Sequence, residues 1–392
     1  ELEVAKGQIL GSRSQFLPKV NVGASYTYTG DILSLGSSLS SGLKKDIGVF
    51  TGYKNDNKLG VTIDESIYNG GANIAGLRQS EIGLKISEET LTAKKLDVEF
   101  EAKRLYYGLL LAYETERIAG DLVDQGKSHY EDVKNKFEQG TSSRFDLLQS
   151  KVQVSKLMPE LIKAKNAVDL IMADLKKLLG LKMKDSIKIE DKLRYSPIEL
   201  NEAEFLKQAY LNKPEMILKT LGININKWAI KMAKAGFRPQ VNAELAYNYS
   251  SNNIANMFNE RHSNWNTGFT VNIPVFDGFS TKAKVDEAKA RYAQANLQKE
   301  DLINQIAVDI KQACLDLTQA ESIVISQKDN IEEAKEALRI AQISYDNGEG
   351  TNLDILDTQV TLAQIEKNLS EGIYDYLIAK AFLDRSIGIK DF

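Results

Sequence analysis

The chain has 392 residues, 43% hydrophobic and 27% charged, with a formal net charge of −4. That length is ample for a large core, and charges of both signs are interspersed, so no basic stripe points to a nucleic acid. A single cysteine, Cys314, excludes an internal disulfide framework and a multi-cysteine metal site, and no run of about 18 apolar residues offers a transmembrane helix.

Glu1 opens inside a helical pattern, ELEVAKGQIL, without a signal-like start, so a trimmed N-terminus is expected. A first strand is expected over about 18–29, where Val20, Val22, Ala24, Tyr26 and Tyr28 alternate with polar or small residues. A Ser/Gly-rich loop, Gly30–Asn57, leads to a second strand over about 58–68 carrying Leu59, Val61 and Ile63. Proline-free helical composition then runs over about 71–138, roughly 100 Å of helix at 1.5 Å per residue. A tight turn at Gly140 precedes a helix over about 142–179, in which Pro159 is expected to bend the helix or remove a hydrogen bond. After a mixed stretch, strands are expected over about 239–250 and 265–276 and helices over about 279–346 and 352–387, with the second turn at Gly348. Ile303, Ile306, Ile310, Ala313, Leu317, Ala320, Val324, Ile331, Ala334, Leu338, Ala341 and Tyr345 are spaced three and four apart, with Gln327 in the one skipped place. Leu157, Leu161, Ala164, Val168, Ile171, Leu175 and Leu178 repeat that spacing. Sustained heptads predict coiled-coil packing.

The chain is written twice. FLPKVNVGASYTYTGD from Phe16 matches FRPQVNAELAYNYSSN from Phe237, and FEQGTSSRFDLLQSKV from Phe137 matches YDNGEGTNLDILDTQV from Tyr345. Gly140 and Gly348 are 208 residues apart, as are Gly180 and Gly388. Residues 1–198 read as a first structural repeat and 199–392 as a second.

Each strand segment is about 9–11 residues, the length of a tilted membrane strand. Tyr26, Tyr28, Tyr247, Tyr249 and Trp265 gather near the loop ends, as in an interfacial girdle, although half of a soluble sandwich fits the same pattern. Four strands are too few for a membrane barrel, which needs about eight, and lipid tolerates no open sheet edge. Either the strands avoid the membrane or several protomers share one barrel; three would give twelve strands. Asp354 and Asp357, three apart, share one face of the last helix, and the residues alone favour helix-start acids complementing the macrodipole over a pore-lining pair.

The repeated F-x-P-x-V before a strand, the junctions IYNGG and VFDGF, and the turn motifs with Gly followed six residues later by Asp resemble TolC-like outer-membrane factors over nearly the whole chain. The resemblance implies a mixed α and β membrane protein: a homotrimer whose twelve-stranded β-barrel is continuous with a coiled-coil α-helical tunnel, with an equatorial region around 180–213 and the chain termini. It implies a passive exit duct of tripartite efflux or type I secretion, in the outer membrane of a Gram-negative bacterium with most of the chain in the periplasm. The implied partners are outer-membrane lipid, a periplasmic adapter and an inner-membrane transporter, with no cofactor, metal or nucleic acid. Asp354 and Asp357 would line the closed entrance, Tyr345 and Asp146 would latch it, and Gly140 and Gly348 would mark adapter-docking tips. A family arginine is replaced here by Gly350, a place Arg144 could fill from the other turn. An enzyme is disfavoured: His129 and His262 lack metal-ligand spacing and both read as solvated, and no nucleophile elbow or phosphate loop is present. The alternative is a soluble or periplasmic coiled-coil scaffold without pore activity.

Overall fold

The computed structural model describes residues 1–29, 55–258 and 263–389. Most of the Gly30–Asn57 loop, and His262, lie outside the described residues. In chain order the elements are α1 (Leu2–Arg13), β1 (Lys19–Tyr28), β2 (Asn55–Asn69), α2 (Ala72–Glu138), α3 (Arg144–Leu178), α4 (Glu202–Asn212), α5 (Pro214–Lys234), β3 (Gln240–Ser251), β4 (Ser263–Asn272), α6 (Ser280–Asp346) and α7 (Asn352–Ile387). Short 3-10 turns, Ser14–Phe16 and Ala235–Phe237, precede β1 and β3. The protein is predominantly helical with one small antiparallel sheet. It divides into two compact units: Glu1–Glu89 with Leu218–Lys299, and Thr90–Ile217 with Glu300–Phe392.

The first unit holds the sheet, in the order β1-β2-β3-β4 with every pairing antiparallel. Its register sorts the side chains cleanly. Val22 pairs with Val61, Val61 with Tyr247, and Tyr247 with Trp265. The neighbouring rung, Val20, Ile63, Leu245 and Thr267, lies on the same face two residues along. The opposite face carries Asn21, Thr62, Ala246 and Asn266. Among the described residues the outer strands are open on both faces, every residue of β1 and nearly all of β4 being exposed, while β2 and β3 are mostly half-buried and Ala246, on the polar face, is buried. An apolar face this exposed, with Val20, Val22, Leu245, Tyr247 and Trp265 all open, is unlike the half of a soluble sandwich, whose apolar face is buried.

β4 ends at Asn272, four residues before its expected end at 276. Pro274 explains the difference, because it has no N–H to donate to a ladder. A bulge between Ser66 and Tyr68 adjusts β2 just before it gives way to α2.

The second unit is built on helix seams. Ile306, Ile310, Ala313, Leu317, Ala320 and Val324 of α6 are all buried. They fall on the three-and-four spacing, and the alanines let neighbouring helices approach closely. Ala164, Val168 and Leu175 of α3 are buried in the same way. Tyr376 of α7 sits in the largest cluster with Ile310, Leu317 and Leu383. Its hydroxyl accepts the Ile198 N–H at 3.0 Å, and its ring meets that of Tyr195 edge-on at 4.8 Å. Cys314 lies in this cluster, and burial pushes its thiol pKa up. Pro159 is exposed, and α3 continues past it to Leu178.

Candidate functional site

The two helix-to-helix turns lie in the second unit and are built alike. α2 and α6 each span 67 residues, and each ends in a left-handed glycine, Gly140 or Gly348, both with φ 78°. That conformation is costly for residues with a Cβ. At the first turn the Gly140 N–H donates to Phe137 O and the Thr141 N–H to Lys136 O. At the second, Gly348 donates to Tyr345 O and Glu349 to Ser344 O. These are Schellman closures, which satisfy the last carbonyls of each helix. Ser143 and Thr351 then cap the return helices α3 and α7, each with an aspartate three residues on completing a capping box.

Those aspartates are Asp146 and Asp354. The Asp354 carboxylate accepts from the Thr351 N–H at 2.8 Å and the Thr351 hydroxyl at 2.7 Å. These bonds, the backbone one foremost, hold it below the usual carboxylate range. Asp146 accepts from the Ser143 hydroxyl at 2.6 Å. Both acids therefore serve the helix start, and Asp354 remains ionised at neutral pH. Asp357 and Arg144 are exposed.

Tyr345 is engaged elsewhere than with Asp146. The Lys136 ammonium stands 4.1 Å from the Tyr345 ring centre and pairs with Asp346 at 3.1 Å. That contact, a hydrogen bond foremost, lowers the Asp346 pKa. The other edge of the cluster is His129, whose ring meets Tyr345 edge-on at 5.5 Å. The expectation of a solvated His129 is wrong: the residue is 3% exposed. It occupies the α2 seam, four residues before the buried Val133 and three after the buried Gly126, and that spacing was already visible in the sequence. Its Nε2 lies 2.6 Å from Asn352 Oδ1, while the Asn352 amide donates to Gln149 Oε1 at 2.9 Å. Because Asn352 offers only an acceptor here, Nε2 carries the hydrogen. His129 Nδ1 is buried without a partner beside a cavity of about 390 Å³ that Asp132, Gln342 and Gln359 also line. Lys136, Asp346, His129, Asn352 and Gln149 thus tie α2 and α3 to α6 and α7. None was singled out from the sequence as a tie, since Lys136 and Asp346 stand 210 residues apart.

Gly350 is glycine for a reason of space. A Cβ there would fall 2.9 Å from Tyr345 N and 3.0 Å from Ser344 Cβ. Its N–H bonds Ser344 O at 2.9 Å, whereas Ser142, its equivalent in the first turn, reaches Lys136 O at 3.3 Å. A Cβ is accommodated at the first turn with the looser bond. Gly350→Ala is therefore expected to cost about 1 kcal/mol, with Ser142→Ala nearly neutral. Thermal unfolding of the two variants checks this; equal midpoints would refute it.

In the first unit the structure brings the expected girdle residues onto one face. Tyr26, Tyr28, Tyr247, Tyr249 and Trp265 all lie on the apolar side, at the end of the sheet remote from α2 and α6. Tyr26, Tyr28 and Trp265 are each about three-fifths exposed or more. No helix among the described residues is long and apolar enough to cross a membrane.

A family model described as outer membrane efflux protein matches residues 1–181 and 206–389. The chain is 21% identical to the outer membrane protein TolC of Vibrio cholerae over 97% of its own length and 84% of that protein's. It is 22% identical to the cation efflux system protein CusC of Escherichia coli K12 over 77% of the chain and 66% of that protein. Among solved structures, the outer membrane protein VceC of Vibrio cholerae superposes with a TM-score of 0.83 at 17% identity, covering 99% of this chain and 90% of that one.

Proposed function

The chain belongs to the outer membrane efflux protein family, and from that premise we propose that three copies form one passive duct across the outer membrane. It is an outer-membrane channel protein, not an enzyme. One observation carries the proposal: the sheet exposes its apolar face, carries polar residues on the other, and among the described residues its outer strands β1 and β4 each pair on one side only. An unpaired strand edge costs several kcal/mol per orphaned group in lipid. Three such sheets joined β4 to β1 leave no edge, turn the apolar face to lipid and enclose the polar face. The two matched segments of the family model support a duplicated chain, each repeat supplying one strand pair and one pair of long helices.

In this reading the helical turns form the periplasmic entrance. Asp354 and Asp357 supply carboxylates around the threefold axis, and the depressed Asp354 pKa keeps its charge. The Lys136–Asp346 pair, the Tyr345 ring and the His129–Asn352–Gln149 chain hold the two helix pairs of a protomer together and so keep the entrance narrow. Gly140 and Gly348 expose the turns that an adapter of an inner-membrane pump would grip. Arg144, exposed at the first turn, is free to reach an acid of the neighbouring copy.

Single-channel conductance in a planar bilayer tests this. Wild type is expected to show a small, cation-selective conductance, and Asp354→Asn/Asp357→Asn to lose most of that selectivity, since rings of carboxylates select cations. A pore indifferent to the mutations moves the constriction elsewhere. No conductance from folded, inserted protein refutes the duct and leaves a coiled-coil scaffold.

A further inference from the structure

The cavity beside His129 has a chemistry that the ties around it leave unused. Its volume is about 390 Å³, far beyond the roughly 30 Å³ of one water and within the range of small-molecule sites. α2 lines it with His129 and Asp132, and α6 with Leu338, Arg339, Gln342 and Ile343. All of them belong to the second unit.

Three hydrogen-bond acceptors line this space. The first is His129 Nδ1. His129 is 3% exposed and its Nε2 hydrogen is given to Asn352 Oδ1 at 2.6 Å, so Nδ1 is a buried lone pair without a partner. A buried acceptor left bare is costly. The second is the Asp132 carboxylate, three residues on and so on the same side of α2. The basic side chains near it are committed elsewhere. Arg339 grips Glu336 with two bonds, at 2.6 and 2.8 Å, and Lys136 pairs with Asp346 at 3.1 Å. Asp132 itself enters no ion pair among the described residues. The third is Gln342, whose amide nitrogen donates to Asp346 Oδ2 at 3.3 Å and whose carbonyl oxygen is left as an acceptor.

Charge and size select the ligand. A lone pair on Nδ1 takes a metal ion or a donor. Among the described residues no group of three or more His, Cys, Asp or Glu could hold a metal ion. One water would satisfy Nδ1 but would neither fill the space nor balance Asp132. An alkylammonium does all three. Its –NH₃⁺ carries three donors and no acceptor, which matches the three acceptors, and it brings the positive charge that Asp132 lacks. Leu338 and Ile343 offer its aliphatic stem an apolar wall.

We propose that this cavity binds a small aliphatic primary amine, its ammonium on His129 Nδ1, Asp132 and Gln342 and its stem on Leu338 and Ile343. The ligand bridges α2 to α6 and so adds to the ties between the two helix pairs. Binding draws on the second unit alone and does not depend on the duct.

Calorimetric titration of the full-length chain in detergent tests this, with n-butylammonium at about pH 8, where a primary amine is charged. n-Butanol has the same stem without the charge, and butyltrimethylammonium has the charge without an N–H. n-Butylammonium is expected to bind at least about tenfold more tightly than either, and Asp132→Asn to weaken it about tenfold, the effect of losing one charge-assisted hydrogen bond. Asp132 is exposed, so this change leaves the packing intact. His262→Gln makes His129 the only histidine. Nitrogen NMR of isotope-labelled histidine then reads Nδ1 directly, and its resonance is expected to shift with n-butylammonium and not with butyltrimethylammonium. The proposal is wrong if n-butylammonium does not bind, if n-butanol binds as tightly, if Asp132→Asn binds as tightly as wild type, or if the Nδ1 resonance does not move. A duct that fails in the bilayer leaves every one of these results as it is.

Discussion

Leu245→Arg is expected to abolish stable insertion of the protein into a bilayer, while Glu244→Arg, one residue earlier, leaves it inserted. Leu245 lies in the middle rung of the sheet, between Ile63 and Thr267 on the apolar face; Glu244 lies on the opposite face, between Asp64 and Gly268. Both residues are exposed, so neither change opens a cavity within the chain. An arginine facing lipid near the bilayer midplane costs about 2–4 kcal/mol, and a trimer would bear three of them. An arginine facing the enclosed side stays in water. The contrast also separates the readings of the fold: in a soluble scaffold either arginine would be harmless. Recovery of the two variants in the detergent-extracted membrane fraction decides it, and equal recovery would remove the sheet from the membrane.

Tyr376→Ala is expected to destabilise the second unit by about 3–5 kcal/mol, the range for a large buried aromatic. Tyr376 is 2% exposed, so its removal leaves a void among Ile310, Leu317 and Leu383. It also releases the extended segment before α4. Ile198 would lose the hydroxyl its N–H reaches at 3.0 Å, and Tyr195 would lose its edge-on ring while keeping its own 2.6 Å bond to Glu321. Tyr376→Phe separates the two effects, keeping the ring and orphaning the Ile198 donor at about 1–3 kcal/mol. Denaturant unfolding in detergent measures both; similar midpoints for Phe and Ala would mean that packing contributes little.

Much of this architecture was legible because it repeats locally. Strand alternation set the two faces of the sheet, and the three-and-four spacing around Leu317 set the buried seam of α6. The ends of the long helices were signalled by Gly140 and Gly348. Pro274 was equally visible and would have shortened the fourth strand had its missing N–H been counted. The ties at the turns were harder to see. They join side chains whose helices meet only in the folded chain, and a lysine, an asparagine or a histidine has no periodic signature of its own. His129 was the exception: the seam ran through it. Chemistry alone suggested a solvated ring, whereas position on the helix required burial.

The matched lengths of α2 and α6 have a consequence for how such a chain can change. The pairs Lys136–Asp346 and His129–Asn352 meet only because both helix pairs reverse at the same level. Seven residues added to α2 and α3 alone would keep each seam in phase but carry one turn about 10 Å past the other. Every tie at the turns would then be out of reach. A longer or shorter version is therefore accessible only through four coordinated insertions or deletions, one in each long helix. Single insertions are filtered out by misalignment rather than by misfolding, so the duplicated chain acts as its own gauge of length.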